Sequence, residues 1–180
     1  MPNFVYIATS IDGYIAREDG SIDWLTDLPN PAGSDYGYSE FIERVDGIVM
    51  GRKTFHSVLG LGEWPYSKRV FVLSNTLKKL PATVSAKAEI VNGALDELVE
   101  ALKSRGFENL YIDGGKTVQS FLKDDMIDEL IITRIPVILG RGIPLFDGTR
   151  SELTFRHLQT DVYDSGLVKT RYARVRSPES

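Results

Sequence analysis

The 180-residue sequence contains no cysteine, which excludes a disulfide framework, a thiolate zinc site and a cysteine nucleophile. No apolar run is long enough to span a bilayer, and the opening MPNFVYIATS lacks the basic stretch, apolar segment and cleavage site of a secretory signal. These absences lead to the expectation of a cytoplasmic protein with no membrane partner. A positive excess is missing too. The formal charge is -4, so no general basic field invites nucleic acid, and any cluster of Arg and Lys serves a local purpose. The two histidines, His56 and His157, lie far apart and outside any ligand motif, so no metal site is expected. Two phosphate-binding fingerprints are absent as well. No G-x-G-x-x-G follows the first apolar segment, and the position where a Walker loop needs its first glycine, five residues before Gly115, is Leu110.

What is present suffices for a single domain over residues 1–180, since 42% hydrophobic residues can fill one sizeable core. Short apolar segments rich in β-branched and aromatic residues recur at FVYIA (4–8), GIVMG (47–51), RVFVLS (69–74), LYID (110–113) and ELIITRI (129–135). Most are continuous rather than alternating, as strands covered on both faces are. Helical patterns lie between them. In ALDELVEALKSRG (94–106), Leu95, Leu98, Val99 and Leu102 share a face, acids fill the first turn and Gly106 can cap the end. Pairs at i, i+4 mark three more helices: Phe41/Val45, Phe55/Leu59 and Val118/Leu122. The alternation predicts an α/β fold with a mostly parallel central sheet and helices on both faces. The tail differs: residues 153–163 and 167–175 alternate apolar with polar around the turn DSG (164–166), which predicts a closing antiparallel hairpin. LPNPAGSDYG (28–37) reads as a loop over a site.

Ligands of open α/β sheets bind beyond the carboxyl ends of the strands, where helix N-termini present unpaired N–H groups. Two junctions stand out. MGRKT places Gly51 before Arg52, Lys53 and Thr54, and YIDGGKT places Gly114 and Gly115 before Lys116 and Thr117. Cations at a helix N-terminus oppose the macrodipole, so an anionic ligand explains them better than stability does. Tight turns flanked by solvated cations are the alternative for either junction alone. Two such junctions in one chain favour phosphate binding.

VYIATSIDGYIA, IVMGRKTF, VFVLSNT and LYIDGGKTVQSFL, in this order, resemble the dihydrofolate reductase superfamily, especially its branch related to the reductase domain of riboflavin biosynthesis. The resemblance runs from about residue 3 to 175 and implies a dihydrofolate-reductase-like three-layer fold. It also implies an NADPH-dependent reductase acting on a small heterocyclic substrate of pteridine or aminopyrimidine type, and a homodimer. Gly51, Arg52, Lys53 and Thr54 would hold the pyrophosphate and adenosine end of NADPH. Ser74 and Asn75 would reach the ribose 2′-phosphate, with Leu73 before them also at the cofactor, and Gly114, Gly115, Lys116, Thr117 and Val118 would hold the pyrophosphate from the other side. Ala8 and the loop from Ile11 to Ala16, Ile15 included, would border the nicotinamide. Dihydrofolate reductase and a non-catalytic nucleotide-binding module remain the alternative functions.

Hydride transfer to a C=N or C=O group requires a proton, so a carboxyl group or an activated water should lie near the ring. Asp35, sixteen positions before Gly51, has the spacing that dihydrofolate reductases show between their substrate acid and this glycine. An N-cap in an ordinary loop is its other reading. Asp113, at a strand end before the double glycine, matches the place where riboflavin-pathway reductases carry a substrate-meeting acid. It too could instead cap the following helix. Trp24 is a candidate cover for the nicotinamide side of the substrate pocket, or core. Asp12 and Gly13 read as a turn, and Gly140 and Gly142 as backbone geometry.

Overall fold

Five continuous apolar runs become the middle of one sheet. A computed structural model describes residues 2–176, which form β1 (Asn3–Thr9), β2 (Tyr14–Ala16), α1 (Asp23–Thr26), α2 (Tyr38–Glu43), β3 (Gly47–Gly51), α3 (Arg52–Leu59), β4 (Arg69–Leu73) and β5 (Ala88–Val91). The order continues with α4 (Leu95–Ser104), β6 (Leu110–Asp113), α5 (Gly115–Lys123), β7 (Glu129–Arg134), β8 (Ile143–Pro144), β9 (Phe155–Val162) and β10 (Val168–Arg174). The main sheet has eight strands in the order β5-β4-β3-β6-β1-β7-β10-β9. Strands β5 to β7 in that order are all parallel, and β10 pairs antiparallel with both β7 and β9.

Strand periodicity divides the core into two layers. Val5, Val49, Phe71, Leu110 and Ile112 face α4 and α5, where Leu98, Val99, Leu102, Val118, Phe121 and Leu122 meet them. Phe4, Ile48, Met50, Val70, Val72 and Tyr111 face α2 and α3, with Phe41 and Phe55. Phe55, Phe71 and Phe121 are wholly buried, and each such ring contributes roughly 1.5–3 kcal/mol through lost apolar hydration. The expected three-layer architecture is therefore the observed one.

The expected hairpin forms as β9 and β10, with one irregularity. Arg171 pairs with Gln159 but Tyr172 with His157, so Leu158 bulges out of the ladder on the edge strand, a device that hinders further pairing. Four short elements had no periodic signal: α1, β5 and the two strands of a small separate sheet, β2 and β8. β5 carries Glu89 within AEIV, and this acid is held by Arg69 and Arg105. Among the described residues no helix is long and apolar enough to cross a membrane, and no cluster of His, Asp or Glu could hold a metal ion.

Candidate active site

Strands β3 and β6 are neighbours in register, Met50 beside Asp113, so the two glycine junctions that follow them lie side by side. They interlock. A Cβ on Gly51 would stand 2.9 Å from Thr117 Oγ1, and a Cβ on Gly114 would collide with Thr54. Gly114 also has φ +86°, a conformation that glycine adopts without strain. Neither α3 nor α5 has a side-chain cap or an acid in its first turn. By contrast α4 carries Asp96 and Glu97 there, the arrangement that stabilises a helix. The first-turn N–H groups of α3 and α5 are thus left without side-chain acceptors on both sides of one crevice, as an anion site requires.

Around that crevice the named residues divide. Arg52 and Lys53 are exposed, and Arg52 Nη1 donates to Thr76 Oγ1 at 2.9 Å beyond the end of β4. Leu73 is half-buried and Asn75 exposed. Ser74 Oγ accepts the N–H groups of Thr76 and Leu77 at 3.2 and 3.0 Å, which fixes the turn and leaves its own O–H to donate. Thr76 joins this group and had gone unnamed, although it completes the polar triplet Ser-Asn-Thr after an apolar strand. Lys116 is exposed, with Nζ 3.6 Å from Asp147. Thr117 is buried against Gly51, whereas Val118 is wholly buried on the core face of α5.

The small sheet walls the crevice from the side of α5. Asp12 accepts the N–H groups of Leu139 and Gly140 at 3.1 and 2.8 Å, joining the two loops that carry β2 and β8. A Cβ on Gly142 would collide with the Ala16 carbonyl, and one on Gly115 with Ile15. Gly115 therefore makes room for Ile15, the residue that the family resemblance would set beside the nicotinamide. Ala8 is half-buried near the end of β1 and packs against the cluster of Trp24, Ile135 and Leu167. Trp24 is only 8% exposed and its Nε1 is buried without a partner, so the structure gives it a core position.

The loop 28–37 is anchored at the carbonyl of Tyr36. Tyr6 Oη, Tyr163 Oη and Lys169 Nζ all donate to it, at 3.0, 3.1 and 2.8 Å.

The two acids separate clearly. Asp35 is exposed and accepts the backbone N–H groups of Gly37 and Ser39, both at 2.9 Å. The Ser39 side chain and these N–H groups hold its carboxyl down to about 2. It ties the turn that opens α2, and a carboxyl ionised at neutral pH has no proton to give. These contacts are those of the second of its two readings, a carboxylate that fixes the turn before a helix. Asp113 is half-buried: Oδ1 accepts the Gly114 N–H at 2.8 Å and Oδ2 the Tyr66 hydroxyl at 3.0 Å. Burial pushes its carboxyl up, above the usual range, although Tyr66 and Gly114 pull the other way. Around it stand Tyr38, Tyr66 and Tyr111, phenols that burial and the Asp113 charge keep protonated, Tyr38 up to about 12. Tyr38 and Tyr66 had gone unnamed because helix α2 and the loop after α3 reach Asp113 only through the fold.

A mostly parallel sheet closed by an antiparallel hairpin, with two glycine junctions side by side at the strand ends and a half-buried carboxyl between them, makes a dihydrofolate-reductase-like domain. More narrowly, the chain belongs to the family of the RibD C-terminal domain, whose model matches residues 4–169. It is 38% identical over 173 residues to the uncharacterized protein YwjB of Bacillus subtilis, covering 94% of this chain and 96% of that one. Among solved structures it resembles the "Putative riboflavin biosynthesis protein" of Shewanella sp. PV-4, with a TM-score of 0.94, 49% identity and coverage of 98% and 100%. The diaminohydroxyphosphoribosylaminopyrimidine deaminase/5-amino-6-(5-phosphoribosylamino)uracil reductase of Thermotoga maritima shares the fold at a TM-score of 0.75 and 16% identity, over 97% of this chain and 56% of that one.

Proposed function

We propose that the chain is an NADPH-dependent reductase that reduces a small heterocycle of pteridine or aminopyrimidine type. The observation that carries this reading is the pair of interlocked glycine junctions, whose uncapped helices α3 and α5 offer N–H groups to one crevice. The residues fit the cofactor. A pyrophosphate matches the two helix N-termini, and Arg52 with Ser74, Asn75 and Thr76 matches a 2′-phosphate, which selects NADPH over NADH. The resemblance to a protein described for riboflavin biosynthesis supports the substrate class. A homodimer belongs to the same proposal, and analytical ultracentrifugation tests it.

When bound, NADPH would supply the hydride. The chain's part is orientation and the proton: as hydride reaches the carbon of a C=N group, the π electrons pass to nitrogen, which takes the proton of the Asp113 carboxyl. Water then reprotonates Asp113. Dihydrofolate reductase loses ground as an alternative, because Asp35 is committed to opening α2. The decisive experiment follows NADPH oxidation against a panel of pteridines and aminopyrimidines. Turnover with one of them supports the reading, and tight NADPH binding without turnover on any supports a nucleotide-binding module instead.

A further inference from the structure

Tyr66 lies on the loop between α3 and β4, outside every motif of the sequence, yet its side chain ends at Asp113. The phenol is not free to choose this position. The Trp64 ring packs edge-on against Phe55 of α3 at 6.0 Å, and Tyr66 packs edge-on against Trp64 at 5.6 Å. Phe55 is wholly buried, so a ladder of three rings carries rigidity from the core to the Tyr66 hydroxyl. That hydroxyl donates to Asp113 Oδ2 at 3.0 Å while the Gly114 N–H donates to Oδ1 at 2.8 Å. A carboxyl held through both oxygens by fixed donors has one orientation.

We infer that Tyr66 is a positioning residue of this site, whose phenol holds the Asp113 carboxyl in the orientation in which it faces substrate. The inference rests on the reductase reading for its consequence in turnover but not for the contact itself. Other groups around Asp113 do not replace the phenol. Tyr38 of α2 forms no hydrogen bond with the carboxyl and Tyr6 of β1 donates to Tyr36; the Tyr111 hydroxyl of β6 lies near enough to help pull the Asp113 titration down, but its own hydrogen bond goes to the Tyr6 carbonyl at 2.9 Å. β3 presents Met50 beside it, and no Lys, Arg or His is among the groups that shift its titration. Because a hydrogen bond to a carboxylate favours the ionised form, loss of the phenol raises the pH at which Asp113 titrates.

The test is Tyr66→Phe, which removes one oxygen and keeps the ring ladder. Carbon NMR of aspartate-labelled protein, with the Asp113 signal assigned through Asp113→Asn, reads the titration midpoint without any need for turnover. An upward move of about one pH unit is expected, the size that corresponds to one hydrogen bond to a charged group. NADPH affinity should stay unchanged. With a substrate in hand, kcat falls by up to about a hundredfold, as for a misplaced reacting group, and the pH limb set by Asp113 moves upward with the midpoint. An unmoved midpoint in folded Tyr66→Phe overturns the assignment. If that variant does not fold, replacement of tyrosine by 3-fluorotyrosine makes the phenol a stronger donor and should move the midpoint downward, and no movement overturns it equally. A moved midpoint in a protein that reduces none of the heterocycles would sink the reductase reading and leave Tyr66 as the holder of Asp113.

Discussion

Single residues decide the chemistry here, and Asp35 and Asp113 show how differently two carboxyls of one chain can be tuned. Asp113→Asn removes the proposed proton donor, so on the reductase reading kcat should drop by about a hundredfold to ten-thousandfold while the NADPH dissociation constant stays put. Equal turnover in the variant would move the proton source to water. Asp35 should behave oppositely. Its folded-state carboxyl is depressed to about 2, so the stability it contributes is full above the unfolded value near 3.8 and is lost as pH falls through 2. Asp35→Asn should therefore flatten the fall in stability between about pH 4 and pH 2 in acid denaturation, and leave hydride transfer intact. Arg52, bonded only to Thr76 among the described residues, has donors to spare for a phosphate. Arg52→Ala should weaken NADPH binding by about 1.5–3 kcal/mol, the range for a hydrogen bond to a charged group; an unchanged constant in a fluorescence titration would leave Arg52 in solvent. At this scale the sequence was half legible. Motif and strand-end position picked out Asp113, but nothing local marked Tyr66, which lies 47 residues away in the chain and becomes its neighbour only when the loop after α3 folds back over Phe55.

Helices α3, α4 and α5 make the element-scale contrast. α4 obeys the stabilising rule, with Asp96 and Glu97 first and Lys103 in its last turn, and its amphipathic pattern predicted it almost to the residue. α3 and α5 break the rule at the N-terminus, and that breach was readable before any coordinates because two cation-bearing glycine junctions are a poor way to start a helix. The same breach yields a prediction. Lys53→Glu places an acid in the first turn of α3, which should raise stability by about 0.3–1 kcal/mol while weakening NADPH binding. Thermal unfolding with and without cofactor would show both effects, and a stabilised variant that binds NADPH normally would remove the first turn of α3 from the site. The short elements were not legible for a plain reason: β2, β8 and α1 have 3, 2 and 4 residues, too few to express a period, and their existence depends on partners far along the chain.

For the whole molecule, continuous apolar runs announced a covered parallel sheet, and the loss of that continuity after residue 150 announced the hairpin that closes it. Strand order, however, depends on contacts that no local pattern contains, and one buried acid illustrates how the halves are joined. Glu129 is 9% exposed at the start of β7. Arg44, just past α2, donates to both of its oxygens at 3.2 and 3.0 Å, and Arg171 of β10 donates to Oε1 at 3.1 Å. One carboxylate thus ties the layer that carries Tyr38 to the sheet and to the hairpin. Removing it leaves two guanidinium groups facing each other, though both reach solvent in part, which lowers the cost below that of a fully buried pair. Glu129→Ala should therefore destabilise the fold by about 1–3 kcal/mol in denaturant unfolding. Because Arg44 sits at the end of the helix that begins beside Tyr36 and Tyr38, the loss should loosen α2 before the sheet. Hydrogen exchange would then show amides of α2 opening at lower free energy in the variant than those of β3 and β6, and uniform weakening across all three would mean that Glu129 holds the sheet alone.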